Sequence, residues 1–239
     1  MIQLTPGLKR MALALTVAIS AGVFSITPAI AQSPQMEQKV MAIKNAQAAN
    51  KQKLAQYTWT ETESIAIKGD VKDTKTYQVQ MVNGKAQKTL VNDQKASSGG
   101  GRQGRVKERV VDKKKAEYQE YGQSIGALAK QYTTPNPEAL MAAKQAGNIS
   151  LQPGAGTVSL VIKNYVKPGD SVTMTINEAT HSPASVQVNS YLDDPKDAVT
   201  ISAQFAQLPD GTNHVATTTT TGVSKELTVN DQNSNYQKR

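Results

Sequence analysis

The chain has no cysteine, two histidines, two phenylalanines and one tryptophan, and aromatic residues fill only 5% of its 239 positions. Without cysteine there is no disulfide framework, thiol nucleophile, iron–sulfur cluster or cysteine-bound zinc. His181 and His214 are the entire imidazole complement, too few for a histidine metal centre. No metal and no cofactor is expected. Acid is scarce relative to base, 19 Asp and Glu against 27 Lys and Arg, for a net charge of +8. Hydrophobic residues reach 38%, lean for a globular chain but above the profile of a disordered one.

Long apolar runs are also missing, except near the start. Met11 to Ile26 carries no charge, follows Lys9-Arg10, and precedes Pro28 and Ala29-Ile30-Ala31. That sequence of basic, apolar and small-x-small segments predicts a cleavable export signal over residues 1–31, with Ala29 and Ala31 as the small residues of the cleavage site. The run is shorter than the ~18 residues of a membrane anchor. No cysteine follows it to take a lipid, so the expected product is an unlipidated periplasmic protein of residues 32–239. It keeps 25 basic and 19 acidic groups, a net charge of +6.

The rest reads as one α+β domain. Residues 36–57 carry Met36, Val40, Ile43, Leu54 and Tyr57 on one helical stripe, interrupted by Gln47 and Asn50. From Tyr57 to Ile67 the period changes to two, which predicts a strand. Lys68-Gly-Asp70 turns it, Thr74–Val82 returns, and Asn83-Gly84 is a hairpin signal leading to a third strand through Leu90. Residues 97–104, Ser-Ser-Gly-Gly-Gly-Arg-Gln-Gly, form a flexible link. A charged helix is expected from Arg105 to about Tyr132, then a short one with Asn136 as N-cap, Pro137 at the first position and Gly147 at its end. About six strands follow, near 158–162, 172–176, 184–192, 198–207, 214–221 and 225–231. Alternation implies one buried face per strand, and the mid-chain helices need a surface to cover. The expected fold is a curved antiparallel sheet, an incomplete β-barrel of about nine or more strands, with helices on its inner face. A two-sheet sandwich would also alternate.

This order of a leading helix, strands, an interrupting helical lid and more strands resembles the LolA and LolB lipoprotein carriers and the related envelope-stress sensor RseB. Tyr165-Val-Lys-Pro-Gly-Asp-Ser171, Leu208-Pro-Asp-Gly-Thr-Asn213 and Asn233-Ser-Asn-Tyr236 resemble segments of a group of secreted acidobacterial proteins. The resemblance rests on element order, carries no functional residue across, and implies a soluble LolA-like carrier more than a tethered LolB-like receptor.

Catalytic motifs are missing. The chain has no Gly-x-Ser-x-Gly, Ser-x-x-Lys or His-Glu-x-x-His. His181 falls in a turn and His214 opens a strand, each read as an exposed residue and not a catalyst, and Glu61 and Glu63 share a strand face but read as a solvated strand end. Arg102 to Lys115 holds seven basic residues and two acids. Arg105, Lys107, Arg109, Lys113, Lys114 and Lys115 are therefore either a solvated helix face or a docking patch for an anionic membrane or acidic partner protein. Nucleic acid is not an expected partner, since no aromatics interleave with the charges. Trp59, Tyr77, Met81, Leu160, Met174, Val188, Ile201 and Phe205 face into the sheet. They make either its core or an apolar cavity for an acyl chain, lipid or lipoprotein. The leading expectation is a non-catalytic lipid or lipoprotein carrier. The alternative is a protein-interaction or envelope-sensing module with a packed core, and a hydrolase comes third.

Overall fold

The computed structural model of the chain describes residues 34–95, 105–133 and 136–239. The export signal with Ala29 and Ala31, and the link at 97–104, lie outside the described residues. The elements are α1 (Pro34–Leu54), β1 (Tyr57–Ile67), β2 (Asp70–Val82), β3 (Lys85–Lys95), α2 (Arg105–Thr133), α3 (Pro137–Gln145), β4 (Ile149–Gly154), β5 (Thr157–Lys163), β6 (Ser171–Asn177), β7 (Ser182–Tyr191), β8 (Ala198–Gln207), β9 (Asn213–Gly222) and β10 (Leu227–Lys238). The ten strands form one antiparallel sheet in the order β3-β2-β1-β10-β9-β8-β7-β6-β5-β4. Two meanders therefore meet where β1 pairs β10, and the sheet stays open, with β3 and β4 as edges.

Local chemistry explains most boundaries. Lys68-Gly69 and Asn83-Gly84 both take positive φ at their two turn positions, the conformation that two-residue hairpins demand. Asn136 caps α3 by accepting a hydrogen bond from Ala139 N at 3.1 Å, Pro137 follows, and Gly147 turns out of the helix at φ 70°. Seven strands follow the helices where the alternation predicts six, the additional one being β4. Its Pro153 and Gly154 look like turn residues, but an edge strand tolerates a proline that a central strand would not. β3 also runs to Lys95 rather than stopping at Leu90.

Strand alternation sorts side chains into rows across the sheet. On the face that meets the helices, Ile149, Ile162, Val172, Val188, Ile201, Thr220, Val229 and Ile65 stand side by side from β4 to β1. The next inner row begins with Leu151, Leu160, Met174, Val186 and Ala203, then turns polar through Thr218, Asp231, Glu63 and Lys75. The outer face differs throughout. One outer row reads Gln152, Ser159, Thr175, Ser185, Gln204, Thr217, Gln232, Thr62, Thr76 and Asn92. Its neighbour reads Ser150, Val161, Thr173, Gln187, Ser202, Thr219, Asn230, Ser64, Thr74 and Gln94.

Candidate functional site

The inner face is apolar along one row as far as Val229 and Ile65, and changes from apolar to charged along the next. Over β4 to β8 it is apolar and covered by α2 and α3. Ile125, Leu128, Ala129 and Tyr132 of α2, with Leu140 and Ala143 of α3, join Leu160, Ile162, Val172, Met174, Val188, Val199 and Ile201 in one buried cluster. Each large aliphatic side chain buried there contributes roughly 1.5–3 kcal/mol. Ile43 brings α1 into the same cluster. The seat of α2 is Gly222 on β9, where any Cβ would run into Ile125 and lie 2.7 Å from the Tyr121 hydroxyl. A larger residue there would force the Ile125 and Tyr121 side chains to shift.

The helical cover is tied to the rim of the sheet by tyrosine hydroxyls. Tyr121 donates to Asp197 Oδ1 at 2.6 Å, and Tyr132 donates to Asp170 Oδ2 at 2.6 Å while lying 2.7 Å from Ser190 Oγ. Asp170 is only 2% exposed, and its charge is answered by the backbone N–H groups of Tyr165, Val166 and Lys167 at 2.6 to 2.9 Å. Tyr165 in turn accepts from the Asn136 N–H at the start of α3. Burial first, and the adjacent carboxylate second, raise the hydroxyls of Tyr121, to about 12, and of Tyr132, so both donate throughout the physiological range.

The other half, over β9, β10, β1, β2 and β3, buries charge. Glu61, Glu63, Lys75 and Asp231 are each at most 6% exposed. Lys75 Nζ lies 3.4 Å from Glu63 Oε1 and 3.4 Å from Asp73, and Lys88 pairs with Glu61. Asp231 stands opposite Glu63, and its Oδ1 has no hydrogen-bond partner. Burial, followed by the charge of Glu61, pushes the Asp231 carboxyl up to about 8, and burial also raises Glu63. Beside the charges sits an aromatic stack. Trp59 lies on Tyr236 with ring centroids 5.5 Å apart and donates to Asn233 Oδ1, while His214 packs 4.2 Å from Tyr236. Burial lowers the His214 imidazole pKa and favours its neutral form.

The eight expected cavity residues do not form one surface. Leu160, Met174, Val188 and Ile201 lie under the helices, and Phe205 packs at the margin of that cluster. Trp59, Tyr77 and Met81 belong to the charged half, on β1 and β2. Lys113 and Lys114 are exposed on α2; Arg105, Lys107, Arg109 and Lys115 are on the same helix, with side chains outside the described ones. Two expectations are corrected. Glu61 and Glu63 are not a solvated strand end but buried ion pairs, because β2 and β3 bring Lys75 to Glu63 and Lys88 to Glu61 while β10 flanks β1 on its other side. His214 opens its strand as read, yet is buried against Tyr236 rather than exposed. Strand alternation alone could have put the two glutamates inward, since they share the parity of Trp59 and Ile65.

Among the described residues no helix is long and apolar enough to cross a membrane, and no group of three His, Cys, Asp or Glu is placed to hold a metal ion. No protein-family model matches the chain, and no curated protein is similar to it. Among solved structures the chain is similar to a LolA superfamily protein from Nitrosomonas europaea at 10% identity, covering 80% of this chain and 93% of that one, with a TM-score of 0.35. A likeness at that TM-score carries nothing across. The α+β architecture, an open ten-stranded antiparallel sheet with three helices among the described residues, stands on the element order and strand pairing above.

Proposed function

We propose that the protein is an exported, non-catalytic carrier that takes an acyl chain, or the lipidated end of a partner, between the apolar half of the sheet and α2–α3. The observation that supports this reading is the pairing of continuous Ile, Val, Leu and Met rows with a helical cover held at its rim by tyrosine hydroxyls. An acyl chain entering there replaces the contacts of Ile125, Leu128 and Tyr132 with the sheet. A chain of about sixteen carbons gains roughly 12 kcal/mol gross on burial, at ~0.8 kcal/mol per methylene. Association consumes ~4 kcal/mol or more of that, and lifting the helices consumes part of the rest, which suits a ligand that must also be released. Export to the periplasm, and docking of the basic start of α2 on an anionic membrane, belong to the same proposal.

A packed interaction module of the same fold is the second reading. It is favoured by the tightness of the apolar half, where Leu160, Met174, Val188 and Ile201 are each at most 5% exposed. The deciding experiment is mass spectrometry of lipid extracted from the purified protein, with titration of a dansyl-labelled fatty acid. The carrier reading expects copurified lipid and a blue-shifted dansyl signal, with faster uptake by Tyr121→Phe/Tyr132→Phe. No lipid, and no uptake by either protein, would replace the carrier with the packed module.

A further inference from the structure

We infer that the outer face of the sheet is a docking surface for an uncharged polysaccharide. The two outer rows from Gln152 to Asn92 and from Ser150 to Gln94 each cross all ten strands. Every position except Val161 is Ser, Thr, Asn or Gln, and none is charged. In a chain that is 19% charged, a solvent-facing sheet would ordinarily carry lysines and glutamates there. None of these side chains is buried, and α1, α2 and α3 all pack on the opposite face, so among the described residues this face is bare.

The chemistry selects the partner. A nucleic acid, an anionic lipid surface or an acidic peptide needs lysine and arginine, which these rows exclude. An apolar partner needs an apolar patch, and Val161 alone does not make one. What matches is a neutral, extended molecule dense in hydroxyls. Hydroxyl and amide side chains both donate and accept, so each can meet a sugar hydroxyl in either sense, and neither side gives up the hydration of a charge. Part of the array is already held in place: Ser159 and Thr175 hydroxyls lie 3.0 Å apart, and Thr219 donates to Asn230 at 3.3 Å. A row of ten strands is about 43 Å long at ~4.8 Å per strand, room for several sugar units. Neighbouring strands rotate by ~20° each, so the surface suits a ribbon-like chain that follows the twist and not a flat crystal face such as ice.

The test is co-sedimentation of the whole protein with microcrystalline chitin and with microcrystalline cellulose, with heparin beads as the charged control. Expected is binding to at least one neutral polymer that persists at about 1 M salt, because no ion pair contributes. Thr62→Val/Thr175→Val/Thr217→Val keeps the β-forming shape and should weaken binding by about tenfold, since three hydroxyl contacts are lost. Lysines at the same three positions should abolish it. Tyr121→Phe/Tyr132→Phe should bind the polymer like wild type, which separates this surface from the lipid reading. Failure to bind either polymer, or equal binding by the folded valine variant, overturns the proposal. So does salt-sensitive binding to heparin alone, or ice shaping without polymer binding.

Discussion

The two halves of the inner face solve the same burial problem by opposite means. Under α2 and α3 the rows are Ile, Val, Leu and Met, and closure comes from the hydrophobic effect. Toward β1 and β2 the same row continues as Asp231, Glu63 and Lys75, where closure depends on pairing charges that have left water. The first half is strong and non-directional. The second is strong only while each partner is present, because a buried pair owes most of its importance to the cost of breaking it. A single sheet thus carries a tolerant region and a brittle one on the same face.

Five substitutions probe that contrast. The largest effect is expected for Val188→Asp, which places an unpaired charge at a position 2% exposed; a loss of about 4 kcal/mol or more should appear as an unfolded circular-dichroism spectrum. Lys75→Met should cost about 3 kcal/mol in urea unfolding by stranding Glu63, whereas Lys75→Met/Glu63→Leu should recover most of it, since an apolar pair replaces a buried ionic one at little net cost. If the double variant is no better than the single, the charged half is not the brittle one.

Asp231 gives a pH signature. Its carboxyl binds the proton more tightly folded, at about 8, than the ordinary value of 3.8. The folded state therefore holds the extra proton between those values, and stability falls as pH rises through that window and levels off above it. Asp231→Asn should remove this slope, gaining about 2 kcal/mol at pH 9 after allowing for a buried amide, and little at pH 4. The smallest effect is expected for Tyr132→Phe, about 1.5 kcal/mol from the lost hydroxyl contact to Asp170. Amide exchange should then accelerate in α2 and α3 before it does in β6 and β7.

Most of the fold could be read from the chain because its signals are local. The alternation of β1 and β6, the Asn83-Gly84 turn and the Asn136-Pro137 start of α3 each specify their own conformation. The charged cluster could not be read in full, because it is made by register between distant strands. Glu63 meets Asp231 across 168 positions of sequence, and nothing near either residue announces the other. The segments 165–171, 208–213 and 233–236 hold polar anchors of the fold: Asp170 in its ring of N–H groups, Asn213 bonded to Asn50 of α1, and Asn233 with Tyr236 around Trp59. Those roles were not legible locally, since a carboxylate's partners are set by tertiary structure.

The joining of β1 to β10 has a consequence for how the molecule is assembled. Apart from this seam, each strand pairs with its neighbour in sequence, by turns short enough to close quickly, so the meander from β4 to β10 and the one from β1 to β3 can each form early. The seam between them waits for Leu227–Lys238, the final strand of the described chain to be synthesised. Until that strand arrives, Glu61 and Glu63 lie along an open edge in water, where their charges are cheap. Pairing of β10 with β1 desolvates them together with Asp231. Slow refolding should therefore be more sensitive to pH than unfolding of either meander, with the proton taken up by Asp231 marking the moment the sheet is joined.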